Sequence, residues 1–227
     1  MAIAPNRPPF GPTALEDAWA FCEWRATEDV LAAPGLQTVL HAAGVRVAER
    51  NVLLVGASGS GKSTLTAALW ARGHLVWGDD LVRFAAEDLH FGPFERSFKL
   101  DRKALSYLSL DAALGERAIP GTVLASDTLY VSPAAFRRRW EAPVGAAEVV
   151  VRLDPSRRRG VARLEPTSEG AAAVEVSQAL LGHALTESGR ARPELAVRVL
   201  EGLRTAVAFE AWGADPAALA DAVEAVA

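Results

Sequence analysis

Eight consecutive residues constrain this chain more than any others. Gly56-Ala57-Ser58-Gly59-Ser60-Gly61-Lys62-Ser63 fits the pattern G-x-x-x-x-G-K-[ST]. The apolar run Val52-Leu53-Leu54-Val55 precedes it and reads as a strand buried on both faces. Lys62–Arg72 follows it and reads as a helix, closed by Gly73. A strand, a glycine loop and a helix in that order build a phosphate cradle. The glycines let backbone N–H groups point inward, and the helix adds the positive end of its dipole. Lys62 is placed to reach the β- and γ-phosphates, and the Ser63 hydroxyl to ligate Mg²⁺. The nucleotide-binding candidates are therefore Gly56, Ser58, Gly59, Ser60, Gly61, Lys62, Ser63 and Thr64, with ATP and Mg²⁺ as the expected ligands.

A second feature lies 17 residues after Lys62. The apolar segment Leu75–Trp77 reads as a strand and ends in Gly78-Asp79-Asp80. A carboxylate at a strand end beside a phosphate loop can hold Mg²⁺, and a neighbouring one can take a proton from an attacking hydroxyl. The spacing allows one helix, one turn and one strand, which predicts that the pair sits on the strand next to the loop strand. Side chains alternate faces along a strand, so only one of the two aims at the γ-phosphate unless the chain has bent.

Composition narrows the class. Of 24 basic residues 21 are Arg, leaving Lys62, Lys99 and Lys103, and there are 45 alanines. Arginine counts therefore carry little functional weight, whereas a lysine kept in the loop is informative, because a guanidinium does not fit so tight a cradle. The net charge of −4 disfavours nucleic acid as a partner. One cysteine, Cys22, excludes an intramolecular disulfide and reads as a small core residue. No apolar run has membrane-spanning length and the start lacks a signal-peptide pattern, so the expectation is a cytoplasmic protein without membrane contact. The guanine-reading N/T-K-x-D element is absent, and so is the LSGGQ-type signature of transporter ATPases. What is left is a small ATP-dependent kinase or a nucleotide-binding relative.

The remaining pattern is α/β within one domain spanning residues 1–227, with 1–13 as an irregular proline-rich arm. Ala20–Arg25 reads as a short strand, and Leu36–His41 as a segment pairing with the next strand. Val45–Val47 and Val52–Val55 read as a hairpin across Glu49–Asn51. Leu81–Ala85 continues extended, and residues 86–135 alternate short strands and loops. Pro133–Trp140 reads as a helix, Glu148–Leu153 and Ala162–Leu164 as strands, and Ser168–Leu181 as a helix. Pro193–Arg204, Thr205–Trp212 and Pro216–Val226 then read as helix, strand and helix.

The 43 residues from His41 to Arg83 resemble the core of the HPr kinase/phosphorylase family. In that family a His precedes a hairpin and a GxSGxGKS loop, and a Gly-Asp-Asp segment follows the helix. A similar Gly-Asp-Asp arrangement occurs in phosphoenolpyruvate carboxykinase, which shares that core fold. Weaker similarity runs through Phe94–Leu100 and Thr205–Trp212. The resemblance implies a P-loop kinase core with a mixed central sheet flanked by helices. It implies that Lys62 binds phosphate and that Ser63 binds Mg²⁺. One Asp of the pair is the general base, with Asp79 favoured and Asp80 nearer the metal. His41 matches the family's upstream active-site histidine. It also implies self-association as a homo-oligomer.

Only about 40 residues precede His41, as in a short form without the family's leading domain, and the E-I-R-G-L-G-type signature is missing. Both departures argue against HPr as the acceptor and against phosphorolysis. The expected activity is γ-phosphoryl transfer from ATP to a hydroxyl, either a Ser of a peptide or protein or a small molecule. The alternative is a nucleotide-binding regulatory partner with little or no transfer. A carboxykinase-type reaction on a small acid ranks below both. Weaker signals read blandly: Arg96, Arg137–Arg139 and Arg157–Arg159 as solvated surface, His74 as exposed, Trp77 as sheet packing, and His90 and His183 as lacking ligand-spaced partners.

Overall fold

A computed structural model describes residues 15–32, 38–94, 96–101, 122–125, 128–131, 145–157, 160–181 and 192–227. Its elements are α1 (Leu15–Ala32), β1 (Thr38–Leu40), β2 (Ala43–Val47), β3 (Arg50–Val55), α2 (Lys62–Ala71), β4 (Leu75–Gly78), β5 (Val82–Ala85), β6 (His90–Pro93) and β7 (Phe98–Asp101). They continue with β8 (Thr122–Ala125), β9 (Thr128–Val131), β10 (Val149–Leu153), β11 (Arg163–Pro166), α3 (Glu169–Gln178), β12 (Leu180–Leu181), α4 (Pro193–Gly202), β13 (Val207–Trp212) and α5 (Pro216–Glu224). The expected arm over 1–13, the helix over Pro133–Trp140, Arg137–Arg139 and His183 lie outside the described residues.

A six-stranded mixed sheet in the order β11-β13-β10-β3-β2-β4 forms the centre. The middle strands β3, β10 and β13 run parallel, and β11, β2 and β4 add antiparallel pairs. Alternation splits the core cleanly. Val52 and Leu54 face one layer with α2, α5 and the Phe98–Leu100 strand, while Leu53 and Val55 face the other. All four are fully buried, as expected of a strand covered on both sides. The second layer holds α3, α4 and a four-stranded antiparallel sheet, β12-β1-β5-β6. A third sheet, β7-β9-β8, packs beside α2 through Phe98 stacked on Trp70, with ring centroids 4.8 Å apart. The helices start on local signals. Ser168 Oγ accepts from the Ala171 N–H at α3, and Asp215 accepts from the Ala217 N–H at α5, where Pro216 opens the helix.

Four expectations are corrected. Ala20–Arg25 is not a strand but the middle of α1. The 18 residues of α1 contain no Gly or Pro, and an Arg25–Asp29 pair sits at helical spacing. Of Leu36–His41, residues 36 and 37 lie outside the described residues; the described part, β1, pairs with β5 and β12 and not with the next strand. Cys22 is exposed and not in the core. Finally, β4 is not next to the loop strand, because β2 lies between β3 and β4. The tight Ala48–Glu49 turn folds β2 back onto β3 first, so β4 docks on the outer edge of β2. Trp77 is 1% exposed and packs in the sheet as expected. Its ring lies over Gly44, where a Cβ would come within 2.3 Å of it.

Candidate functional site

The hairpin register decides what meets at the site. Ala43 pairs with Leu54, so the start of β2 lies beside the end of β3, and His41 arrives next to the glycine loop. Gly44 pairs with Gly78, which brings the end of β4 to the same edge. His41, the loop and the Asp pair therefore share one end of the sheet, while the Ala48–Glu49 turn lies at the other.

The loop itself has the backbone its glycines allow. Gly56, Gly59 and Gly61 have φ of 144°, 76° and 103°. A Cβ on Gly56 would lie 2.7 Å from the Leu153 carbonyl oxygen, so side chains are excluded where the loop leaves β3. Gly61 caps α2 with no side-chain hydrogen bond, leaving the first-turn amides to a ligand's oxygens. Ser58 and Gly59 are exposed, whereas Ser60 is buried and its Oγ has no hydrogen-bond partner. Ser60, Gly61 and Thr64 line a small cleft with Leu153, Gly213 and Pro216, at the ends of the parallel strands.

Lys62 is 4% exposed, and its Nζ donates to the carbonyls of Gly56 (2.7 Å) and Ala57 (3.2 Å). Burial lowers its pKa, offset in part by Asp80, Glu175 and Asp79. Ser63 Oγ donates to the Asp79 carbonyl at 3.3 Å, which ties the first turn of α2 to the Asp pair across the intervening strand.

Asp79 and Asp80 lie beyond the end of β4, where the chain has bent, so the strict alternation of a strand no longer applies. Asp79 is 0% exposed. Its Oδ2 accepts from the Lys99 N–H at 3.2 Å, and its Oδ1 is buried without a partner. Burial, reinforced by the adjacent Asp80 charge, pushes Asp79 up to about 7. Asp80 behaves in the opposite way. Burial alone would raise it, but the His41 hydrogen bond, with Arg96 and Lys99 nearby, holds it at about 2. An ionised carboxylate only accepts, so the His41 Nε2–H donates to Asp80 Oδ1 across 2.8 Å. Arg96 Nη1 donates to Asp80 Oδ2 at 3.3 Å.

Arg96 is not solvated surface. Its side chain is 7% exposed and spans Asp80 and Glu23, the latter at 3.5 Å. Lys99 Nζ lies 3.6 Å from the same Glu23 oxygen and 5.6 Å from the centre of the Tyr130 ring. Glu23 and Lys99 were not among the residues the sequence singled out for the site. The lysine scarcity held a signal for Lys99, since it is one of three in an arginine-rich chain. Nothing local marks Glu23. His74 is half-buried and not exposed, 2.7 Å from Glu224 of α5. Arg157 stacks on Trp212 at 3.4 Å, away from the Asp pair's contacts.

The molecule is thus a mixed α/β protein with a mixed central sheet flanked by helices. The HPr(Ser) kinase/phosphatase from Coxiella burnetii is a similar solved structure, with 13% sequence identity, 77% of this chain and 83% of that chain covered, and a TM-score of 0.33. No protein-family model and no curated protein matches the chain. Among the described residues, no helix is long and apolar enough to cross a membrane.

Proposed function

We propose that the chain is an ATP- and Mg²⁺-dependent kinase that transfers the γ-phosphoryl group to a hydroxyl acceptor. The observation that carries this reading is the division of labour within the Asp pair. Of two adjacent carboxyls, Asp79 is fully buried with an unpartnered Oδ1 and Asp80 is held by His41 and Arg96, and they are driven to about 7 and about 2 respectively. Plain nucleotide binding needs no such split, whereas acid–base chemistry does.

The residues fit the ligands. A cradle closed to any Cβ at Gly56, an uncapped helix start and the buried Ser60 Oγ suit an oligophosphate. Ser63 and the ionised Asp80 are the oxygen donors for a magnesium ion, which when bound supplies positive charge opposite the phosphate oxygens. Lys62 holds the phosphates as a compact charge. His41 and Arg96 hold Asp80 in place and keep it ionised. Asp79 takes the acceptor's hydroxyl proton on Oδ1, its unpartnered oxygen. A base near 7 is well matched to neutral pH. Asp79 is enclosed, so the reading requires the cover provided by Lys99 and its strand to shift as the acceptor enters.

The acceptor is a Ser of a peptide or protein, or a small-molecule hydroxyl. The reading also extends to a cytoplasmic location and a homo-oligomer. The test is incubation with γ-labelled ATP, Mg²⁺ and hydroxyl-bearing acceptors. Label on an acceptor, lost with Lys62→Ala, supports the kinase. Stoichiometric nucleotide binding with no label transferred overturns it.

A further inference from the structure

Arg96, Lys99 and Glu23 carry a second reading. Glu23 is 13% exposed, yet both of its carboxylate oxygens lack a hydrogen bond. Its Oε2 lies between Arg96 Nη2 at 3.5 Å and Lys99 Nζ at 3.6 Å, within ion-pair range only. Arg96 Nε is likewise buried without a partner. Structural Arg–carboxylate pairs in enclosed sites close to about 2.7–2.9 Å and are often bidentate. A buried pair with one loosely held oxygen recovers little of its desolvation. Two cations have been brought together, and the carboxylate between them fits poorly.

Position adds the chemistry. Arg96 touches Asp80 with one end and Glu23 with the other, so an anion in the Glu23 position sits one guanidinium away from the Asp pair. Lys99 donates its backbone N–H to Asp79 and offers its ammonium to the same anion. The Tyr130 ring steadies that ammonium. Glu23 comes from α1, which packs on β8.

We infer that Arg96 and Lys99 form an acceptor subsite for an anionic group, carboxylate or phosphate, a few ångströms from the hydroxyl, and that Glu23 occupies it as an internal stand-in. The inference rests on the kinase reading and names its substrate class. An acidic acceptor displaces Glu23 and with it the grip of α1 on the site.

The test uses the full chain without nucleotide, so its outcome is independent of transfer. N-acetyl-L-serine and its amide are titrated by calorimetry into wild type, Glu23→Gln, and a variant that adds Arg96→Gln and Lys99→Gln. Serine peptides with acidic or neutral flanks form a second arm, which separates a small-molecule source of the anion from a peptide one. Removing an internal competitor raises apparent affinity by the inverse of the fraction of sites it leaves free, here an expected gain of about tenfold or more. The carboxylate probes should gain it in Glu23→Gln, the neutral ones should not, and the added substitutions should erase it. Should Glu23→Gln not fold, amide exchange of α1 in wild type replaces it, and the acidic probe should speed that exchange. Equal affinity of wild type and Glu23→Gln, no preference for the charged probe, or unchanged α1 exchange each overturn the inference. Labelled-ATP transfer to a neutral acceptor would then still uphold the kinase.

Discussion

His41 Nε2 lies 2.8 Å from Asp80 Oδ1, joining residues 39 positions apart in the chain. The bond forms because the β2–β3 hairpin returns the start of β2 to the end of β3, where the Asp pair also arrives. It fixes one carboxylate of the pair and leaves the other to titrate. A His41→Ala variant leaves Asp80 held by Arg96 alone, so we expect a weaker response to Mg²⁺. In a kinase assay this reads as a higher Mg²⁺ concentration at half-maximal rate, with ATP affinity measured without metal unchanged. An unaltered Mg²⁺ dependence would mean that His41 is only packing.

Asp79→Asn removes the proposed proton acceptor but keeps the shape of the buried group. Nucleotide binding should persist while transfer falls by about 10²–10⁴-fold, the usual range for a lost general base. In wild type the transfer rate should climb as pH rises through about 7, the value burial imposes on Asp79. Turnover of the variant at the wild-type rate would assign the base elsewhere.

The same carboxyl predicts a stability profile. Asp79 is raised from 3.8 to about 7, so between those values the folded protein binds a proton that the unfolded chain has released. Its contribution therefore declines as pH climbs from about 4 to about 7. Thermal melts should show the wild type losing stability over that window relative to Asp79→Asn. Parallel profiles for the two proteins would refute the shifted titration.

Lys62→Arg tests why this position keeps a lysine. The ammonium sits 4% exposed between two loop carbonyls, and a planar guanidinium has no room to turn there. Nucleotide affinity should drop nearly as far in Lys62→Arg as in Lys62→Ala. Near-normal binding by Lys62→Arg would show that the cradle is wider than its geometry indicates.

Gly44→Ala probes the strand that separates the loop from the Asp pair. The added methyl would come within 2.3 Å of the Trp77 ring, which is itself fully enclosed. Overpacking of this kind costs about 1–3 kcal/mol. Urea unfolding should report a loss in that range, and a variant as stable as wild type would mean that Trp77 relocates freely.

What could be read from the sequence was what is local. The Val52–Val55 strand, the glycine loop and the helix from Lys62 are contiguous, so spacing and residue type suffice. The Gly78-Asp79-Asp80 bend is likewise a short-range signal. The strand order escaped because β2 and β3 form a hairpin, and a hairpin's inner pairing outranks a crossover that the helix only spans. In the α1 segment the aromatic residues suggest a strand, while an uninterrupted run of helix-tolerant residues decides for helix. Glu23, Arg96 and Lys99 meet only after three separate elements pack, so no spacing in the chain announces them.

The Ala48–Glu49 turn has a practical use. It stands at the opposite end of a five-residue strand from His41, about 17 Å away at ordinary strand rise. A fluorophore or affinity tag grafted there reports on the molecule without touching the end that carries His41 and the Asp pair. That makes it the natural attachment point for immobilising the protein while candidate acceptors are screened.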